Sequence, residues 1–364
     1  MFLKRKQERK CDSSHENSET VVADYKKYLY RKSICVVASV LFLIIIAGIG
    51  MGVGKYSISF IDVYSEIINR LLHWGPPETT DARVVWNLRM PRVLTAIIAG
   101  VGLSVAGAAM QSMMKNPLAD PFTTGISSGA CLGATLSITL GVSLMGGFYG
   151  TVLNAFILSL VPVTVIVFLS KYKKATPAMM ILAGISLMFI FNALTTYLML
   201  TADPNSLAAA YAWIVGTLNK SSWENLPVMF VTVLIGSTVL QYLSRYLNAM
   251  NSGDIVAKSL GVNVDRMRIL ILITISIVAA GVVSFTGIIA FIGLVSPHIA
   301  RIFIGSDNKY LIPASASIGA SLMVFADIVA KTVTSSTLPI GIVTAMIGGP
   351  FFLFLILRQK KDLW

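Results

Sequence analysis

Charge, cysteine and histidine are all scarce in this chain of 364 residues. Asp, Glu, Lys and Arg make up 13% of it, about half the share of an ordinary soluble domain, which excludes most soluble enzymes. Cys11, Cys35 and Cys131 stand apart from one another, as do His15, His73 and His298. That spacing excludes a disulfide framework and a zinc site, and neither a metal nor a cofactor is expected. A phosphate-binding loop is missing too. The near miss at Gly54-Lys55 has Ile49 where the first glycine belongs and Tyr56 where Ser or Thr belongs, so any ATP that drives this protein is hydrolysed by another chain. Carboxylates within the apolar runs are almost absent. Asp327 is the clearest case, at helical i,i+4 spacing before Lys331, and one such group argues against the buried coupling sites of a proton- or sodium-driven carrier.

Apolar residues fill the space that charge leaves, at 55% of the chain. Runs bounded by charge or by Pro and Gly predict an all-α, polytopic membrane protein of about ten spans, near 34–54, 93–113, 122–145, 150–170, 178–200, 226–247, 267–285, 287–304, 310–331 and 340–357. Ile269 to Ala300 is the tightest stretch. Its helical rise of about 1.5 Å per residue barely allows two crossings, and a single long tilted helix competes with a hairpin. Sidedness favours the hairpin, because it keeps Arg266 and Arg268 on the same face as Arg301.

With the N-terminus cytoplasmic, that ten-span arrangement puts 22 of the 29 Lys and Arg inside and seven outside, the expected positive-inside bias. The net charge of +12 therefore reports membrane sidedness, with both termini cytoplasmic, and not a nucleic-acid partner. Residues 1–33 form a basic cytoplasmic tail and 34–364 the transmembrane domain. Small residues crowd the second and third spans, as in AGVGLSVAGAAMQS from Ala99 to Ser112, and suit close helix packing or the wall of a wide pathway. Between two spans on the inside, residues 247–263 are polar and amphipathic, longer than a plain connection requires, and fit a docking surface for a cytoplasmic partner.

These segments resemble the FecCD-type permeases, the membrane subunits of ATP-binding cassette importers for vitamin B12, haem and iron-siderophores. The matching motifs are LRMPR at 88–92, GAAMQSMMKNPLADPFTTGISSGA at 107–130, LAGISLMFIFNAL at 182–194, WIVGTL at 213–218, AKSLGV at 257–262, GIIAFIGLVSPHIAR at 287–301, ADIVAK at 326–331 and LPIGIVTAMIGGPFF at 338–352.

The resemblance implies the type II importer fold, with two ten-span subunits, identical or paralogous, around a central path. It also implies two ATPase subunits beneath them and a substrate-binding protein outside, in the cell membrane. It assigns docking of the binding protein to Arg89, Arg92 and Lys331, and a cytoplasmic gate to Asn116, Leu118, Thr176 and Pro177. Coupling to the ATPases falls to Ala257, Leu260 and Gly261. Three positions depart from the pattern: Lys331 stands where the B12 importer has arginine, Pro177 where it has serine, and Thr337 where many relatives have glutamate. The cargo expected is an iron chelate, haem or cobalamin. An ion-gradient-driven secondary transporter is the alternative that hydropathy alone allows.

Overall fold

The computed structural model describes residues 30–54, 58–73, 79–172, 176–334 and 337–358. Most of the expected basic tail lies outside these residues, but positions 30–33 already belong to the first helix. That helix, α1, runs Tyr30–Gly52, and the chain continues through α2 Phe60–His73, α3 Thr80–Met114, α4 Ile126–Leu140, α5 Gly147–Leu169 and α6 Pro177–Leu200. Next come α7 Pro204–Ile214, α8 Leu226–Tyr242, α9 Ser244–Asn251 and α10 Asp254–Ser259. The last four are α11 Val264–Thr286, α12 Ile292–Ile304, α13 Asn308–Thr332 and α14 Ile340–Arg358. No strand occurs among the described residues.

Ten apolar helices fall in the ten expected places. Six are long enough to cross a bilayer unaided, α8 reaches that length only together with α9 across a 51° bend, and α4, α12 and α14 are shorter apolar helices. The amphipathic α2 and the short α7 were not among the expected elements. In α2, Val63 is fully buried while Ile61 and Leu72 face outward.

The stretch that barely allows two crossings is a helix pair with a break between its members. Helix α11 ends at Gly287, which adopts φ 70° and ψ −169°. Residues 287–291 are irregular, and α12 begins only at Ile292. Non-helical chain can rise about 3.3 Å per residue against 1.5 Å in a helix, so five unwound residues restore the missing length. Irregular backbone survives at membrane depth only when protein encloses it. Here the Thr286 carbonyl accepts from Thr217 N at 2.7 Å. Gly216 and Gly341 lie so close to the Ile288 carbonyl that a methyl group on either would come within 2.1 and 2.7 Å of it.

Helix α3 is the central post, with α8, α11, α12 and α13 packed around it, while α4 packs on α5, α6 and α7 as a second group that α11 joins to the first. Small residues set these distances. Gly100 lies against the Gly319 carbonyl and Ala320, and Gly107 against the Gly293 backbone. Such approach of backbones supplies the dispersion contacts that hold helices together where lipid is as apolar as the side chains. Outward faces carry large apolar residues, among them Leu41, Phe42, Phe189, Ile190, Phe230 and Val231, as expected of a multi-pass membrane protein.

Candidate functional site

The two ends of the bundle carry different chemistry, and the expected site residues divide between them. At the end where α3 begins, Arg92 Nε donates to Asp327 Oδ1 at 2.7 Å and Arg92 Nη1 donates to Asn219 Oδ1. Lys331 Nζ sits 2.5 Å from Asp327 Oδ2 and also reaches the Gly50 carbonyl. The i,i+4 pair read from the sequence is present, but its carboxylate is fully buried and shared with a second cation from α3. Arg89 lies in a π-helical turn, Val85–Arg89, and donates from Nη1 to the carbonyls of Met51 and Gly52, both at 2.7 Å. All three residues expected to face a docking protein are thus turned inward. They tie the end of α1 and the loop at Asn219 to α3 and α13.

An aromatic cluster that sequence reasoning missed lies near the start of α3. Trp86 and Trp223 stack with ring centroids 5.0 Å apart, Trp223 Nε1 donates to the Trp86 carbonyl, and the Arg70 guanidinium sits 5.2 Å from the Trp86 ring. Its members come from three separate segments, and no local spacing announces it.

At the opposite end of α3 the chain turns through KNPLADP. Lys115 closes the helix in the left-handed region, φ 51° and ψ 36°. Its N–H bonds to the Ser112 carbonyl and that of Asn116 to the Gln111 carbonyl, which makes a Schellman end. A residue with a Cβ pays about 1 kcal/mol for this conformation, which is why glycine is usual there. Asn116 Oδ1 then accepts from Leu118 N at 2.9 Å, locking the turn as an Asx turn does, with Leu118 exposed. Asp120 caps the 3-10 turn Pro121–Thr124 by accepting from Phe122 N. Burial pushes its carboxyl up to about 6, against the opposing pull of that N–H.

The other half of the expected gate is the start of α6. Thr176 accepts from Met179 N and Pro177 takes the first helical position, the residue types that open a helix. The 3-10 turn lies directly on α6, where Gly184 meets the backbone of Thr123 and Thr124. The structure therefore packs the 3-10 turn that follows KNPLADP onto α6.

Helices α9 and α10 form the segment expected to couple. Gly261, at φ 81°, ends α10 with the same Schellman pattern as Lys115, Val262 N bonding to the Ala257 carbonyl and Gly261 N to that of Lys258. Leu260 is exposed, whereas Ala257 is fully buried in the main apolar cluster. Ile255, 86% exposed, and Val256 complete the outward apolar face. Sequence reasoning passed over both, although they adjoin the AKSLGV motif.

The comparisons with known proteins fit this architecture. The model of the FecCD transport family matches residues 40–358. The hemin transport system permease protein HmuU of Yersinia pestis is 36% identical, over 88% of this chain and 95% of its own length. The cobalamin import system permease protein BtuC of Halobacterium salinarum is 37% identical, over 80% of this chain and 77% of its own. Among solved structures, an inward-facing one described as of metal-chelate ABC transporter type superposes with TM-score 0.80 at 30% identity, covering 89% of this chain and 99% of that one. With the family model matching most of the all-helical bundle and relatives above 30% identity covered over most of their length, the chain belongs to the FecCD transport family.

Proposed function

We propose that the chain is the membrane-spanning permease of an ATP-driven importer whose cargo is an iron chelate, haem or cobalamin. The observation that carries this reading over an ion-gradient carrier is the state of Asp327. A coupling carboxylate has to gain and lose a cation during transport, and Asp327 is held between Arg92 and Lys331 with no exposed surface. The energy on this reading enters from another chain, and the apolar face of Ile255, Val256 and Leu260 is the surface offered for it. On this reading Asn116, Leu118, Thr176 and Pro177 close the cytoplasmic mouth, Gly261 fixes the end of the coupling helix, and Ala257 anchors that helix from beneath. A second permease subunit, two ATPases and an extracytoplasmic binding protein complete the assembly.

The binding protein would meet the end at which Arg89, Arg92 and Lys331 lie. These residues serve it from below, by holding the segments around Gly50 and Asn219 in place. The relatives named above support the cargo class, one being a hemin and the other a cobalamin permease. Neutral side chains at the gate suit a bulky cargo, since they close a wide path without trapping charge.

The test is uptake into proteoliposomes that contain the chain with its co-purifying ATPase and binding protein. Radiolabelled ferric hydroxamate, haemin and cyanocobalamin are offered in turn, with ATP inside. ATP-dependent accumulation of one of them is expected. Accumulation driven by a proton or sodium gradient without the ATPase would overturn the proposal.

A further inference from the structure

Asp254 opens α10, the helix of the coupling segment. Its carboxylate accepts from Lys115 Nζ at 2.8 Å and from Arg268 Nη2 at 3.1 Å on each oxygen. Arg268, almost fully buried, belongs to the first turns of α11, whereas Lys115 is the residue immediately before Asn116. One carboxylate therefore joins three elements: the coupling helix, the span that follows it and the turn that carries the proposed gate.

Two further observations mark Lys115 as more than a surface charge. First, it stands in the left-handed position at the end of α3 where glycine would be unstrained, whereas the equivalent position of α10 is Gly261. Strain retained in a backbone points to use of the side chain that imposes it. Second, another anchor of the segment reaches different parts, with Asn248 Nδ2 donating to Asp307 Oδ1 at 2.8 Å. Asn248 of α9 accepts from Asn308 N and Nδ2, and Asn308 accepts from Ser112 Oγ. That anchor holds α9 to α13 and, through the Ser112 hydroxyl, to the last turn of α3, with no hydrogen bond to the Asn116 or Leu118 side chains.

From this arrangement we infer that Lys115 and Asp254 form the strut that carries movement of the coupling helix to the Asn116–Leu118 turn, with Arg268 holding Asp254 in place. The inference rests on the importer reading. Displacement of α10 by a bound ATPase would draw Lys115 with it, and Lys115 shares its hydrogen-bonded end with Asn116. Lys115 and Asp254 are positioning residues on this account. Neither touches cargo.

The test uses the permease reconstituted with its ATPase, with Cys11, Cys35 and Cys131 replaced by serine and Leu118→Cys as reporter. The rate of labelling by a membrane-impermeant maleimide from the Lys115 side is compared with and without ATP and vanadate. Removing Asp254 would take two hydrogen bonds from the buried Arg268, so the informative variant is Lys115→Met, which leaves the Asp254–Arg268 pair intact.

A nucleotide-dependent change in labelling is expected in the Lys115 protein and in Lys115→Arg. Lys115→Met should bring the ratio of the two rates close to one, with complex assembly and ATP hydrolysis retained. A ratio in Lys115→Met equal to that of the unaltered protein would overturn the strut while leaving the importer reading standing. No nucleotide response in the Leu118→Cys parent would overturn the gate assignment, and the strut with it. Loss of ATPase assembly in Lys115→Met would also overturn the strut, by showing a role in binding instead.

Discussion

Arg92 and Asp327 meet at 2.7 Å across 235 residues of sequence, and Lys331 closes on the other oxygen of the same buried carboxylate. Two cations and one anion make this cluster net positive by one charge, so its members are unequal. Losing Asp327 strands two buried cations, whereas losing Lys331 leaves a matched pair. Removing one partner of a buried ion pair costs about 3–5 kcal/mol. Asp327→Ala should therefore lower the melting temperature of the detergent-purified protein far more than Lys331→Met. Asp327→Asn combined with Lys331→Met should recover part of the loss. Equal melting temperatures for Asp327→Ala and Lys331→Met would show that the cluster does not hold the helices.

Arg89 offers a second measurement at the same end. Its guanidinium supplies donors to the last carbonyls of α1, groups that have no partner within the helix and that favour a cation. Arg89→Met should loosen the final turn of α1. Amide exchange measured by mass spectrometry should rise at residues 49–54 and stay constant in α11.

Close backbone contact makes a sharp contrast between two glycines. A methyl at Gly107 would lie 1.8 Å from the Gly293 carbonyl oxygen, while one at Gly50 meets side chains alone, Val324 at 3.0 Å and Ile328 at 3.6 Å. Backbone cannot rotate away, and forcing extra volume into such a contact costs about 1–3 kcal/mol or more. Gly107→Ala should reduce the yield of folded protein in size-exclusion chromatography. Gly50→Ala should leave that yield close to that of the parent.

The carboxyl of Asp120, raised to about 6 by burial, predicts a pH effect of definite sign. The folded state holds the proton more tightly than the unfolded one, so the contribution is fully present below about 4 and is lost as pH rises through about 6. Asp120→Asn should flatten this part of the stability profile. The difference in melting temperature between variant and parent would be followed from pH 4 to 7, and a constant difference over that range would refute the shift.

The left-handed end of α10 gives the simplest prediction. Gly261 has open space around it and a φ of 81°, so Gly261→Ala introduces backbone strain of about 1 kcal/mol without a clash. ATP-dependent uptake should weaken while insertion continues. Gly261→Asn, which tolerates this conformation better, should be milder.

Much of the protein was legible in its pattern of apolar residues. The ten helices stand where the runs of Leu, Ile, Val and Phe put them, because length and hydropathy are local properties that the bilayer reads directly. The turn at KNPLADP and the glycine that ends α10 could be read the same way, from residue types that fix their own backbone. The break at 287–291 could not, since Ile288, Ile289 and Phe291 look like ordinary span residues. Only the fold shows what accommodates them: Thr217 N donates to the Thr286 carbonyl, and Gly216 and Gly341 leave room for the Ile288 carbonyl.

Charge shows the division most clearly. The sequence by itself determined that Asp327 and Lys331 share a helical turn, because that follows from counting along a helix. It did not determine that Arg89, Arg92 and Lys331 point inward, that Asp327 belongs to Arg92 as much as to Lys331, or that Asp254 reaches Lys115 from 139 residues away. Those pairings depend on which helices become neighbours around α3. That choice is made by the close packing of small residues over the whole bundle, which only the tertiary structure expresses.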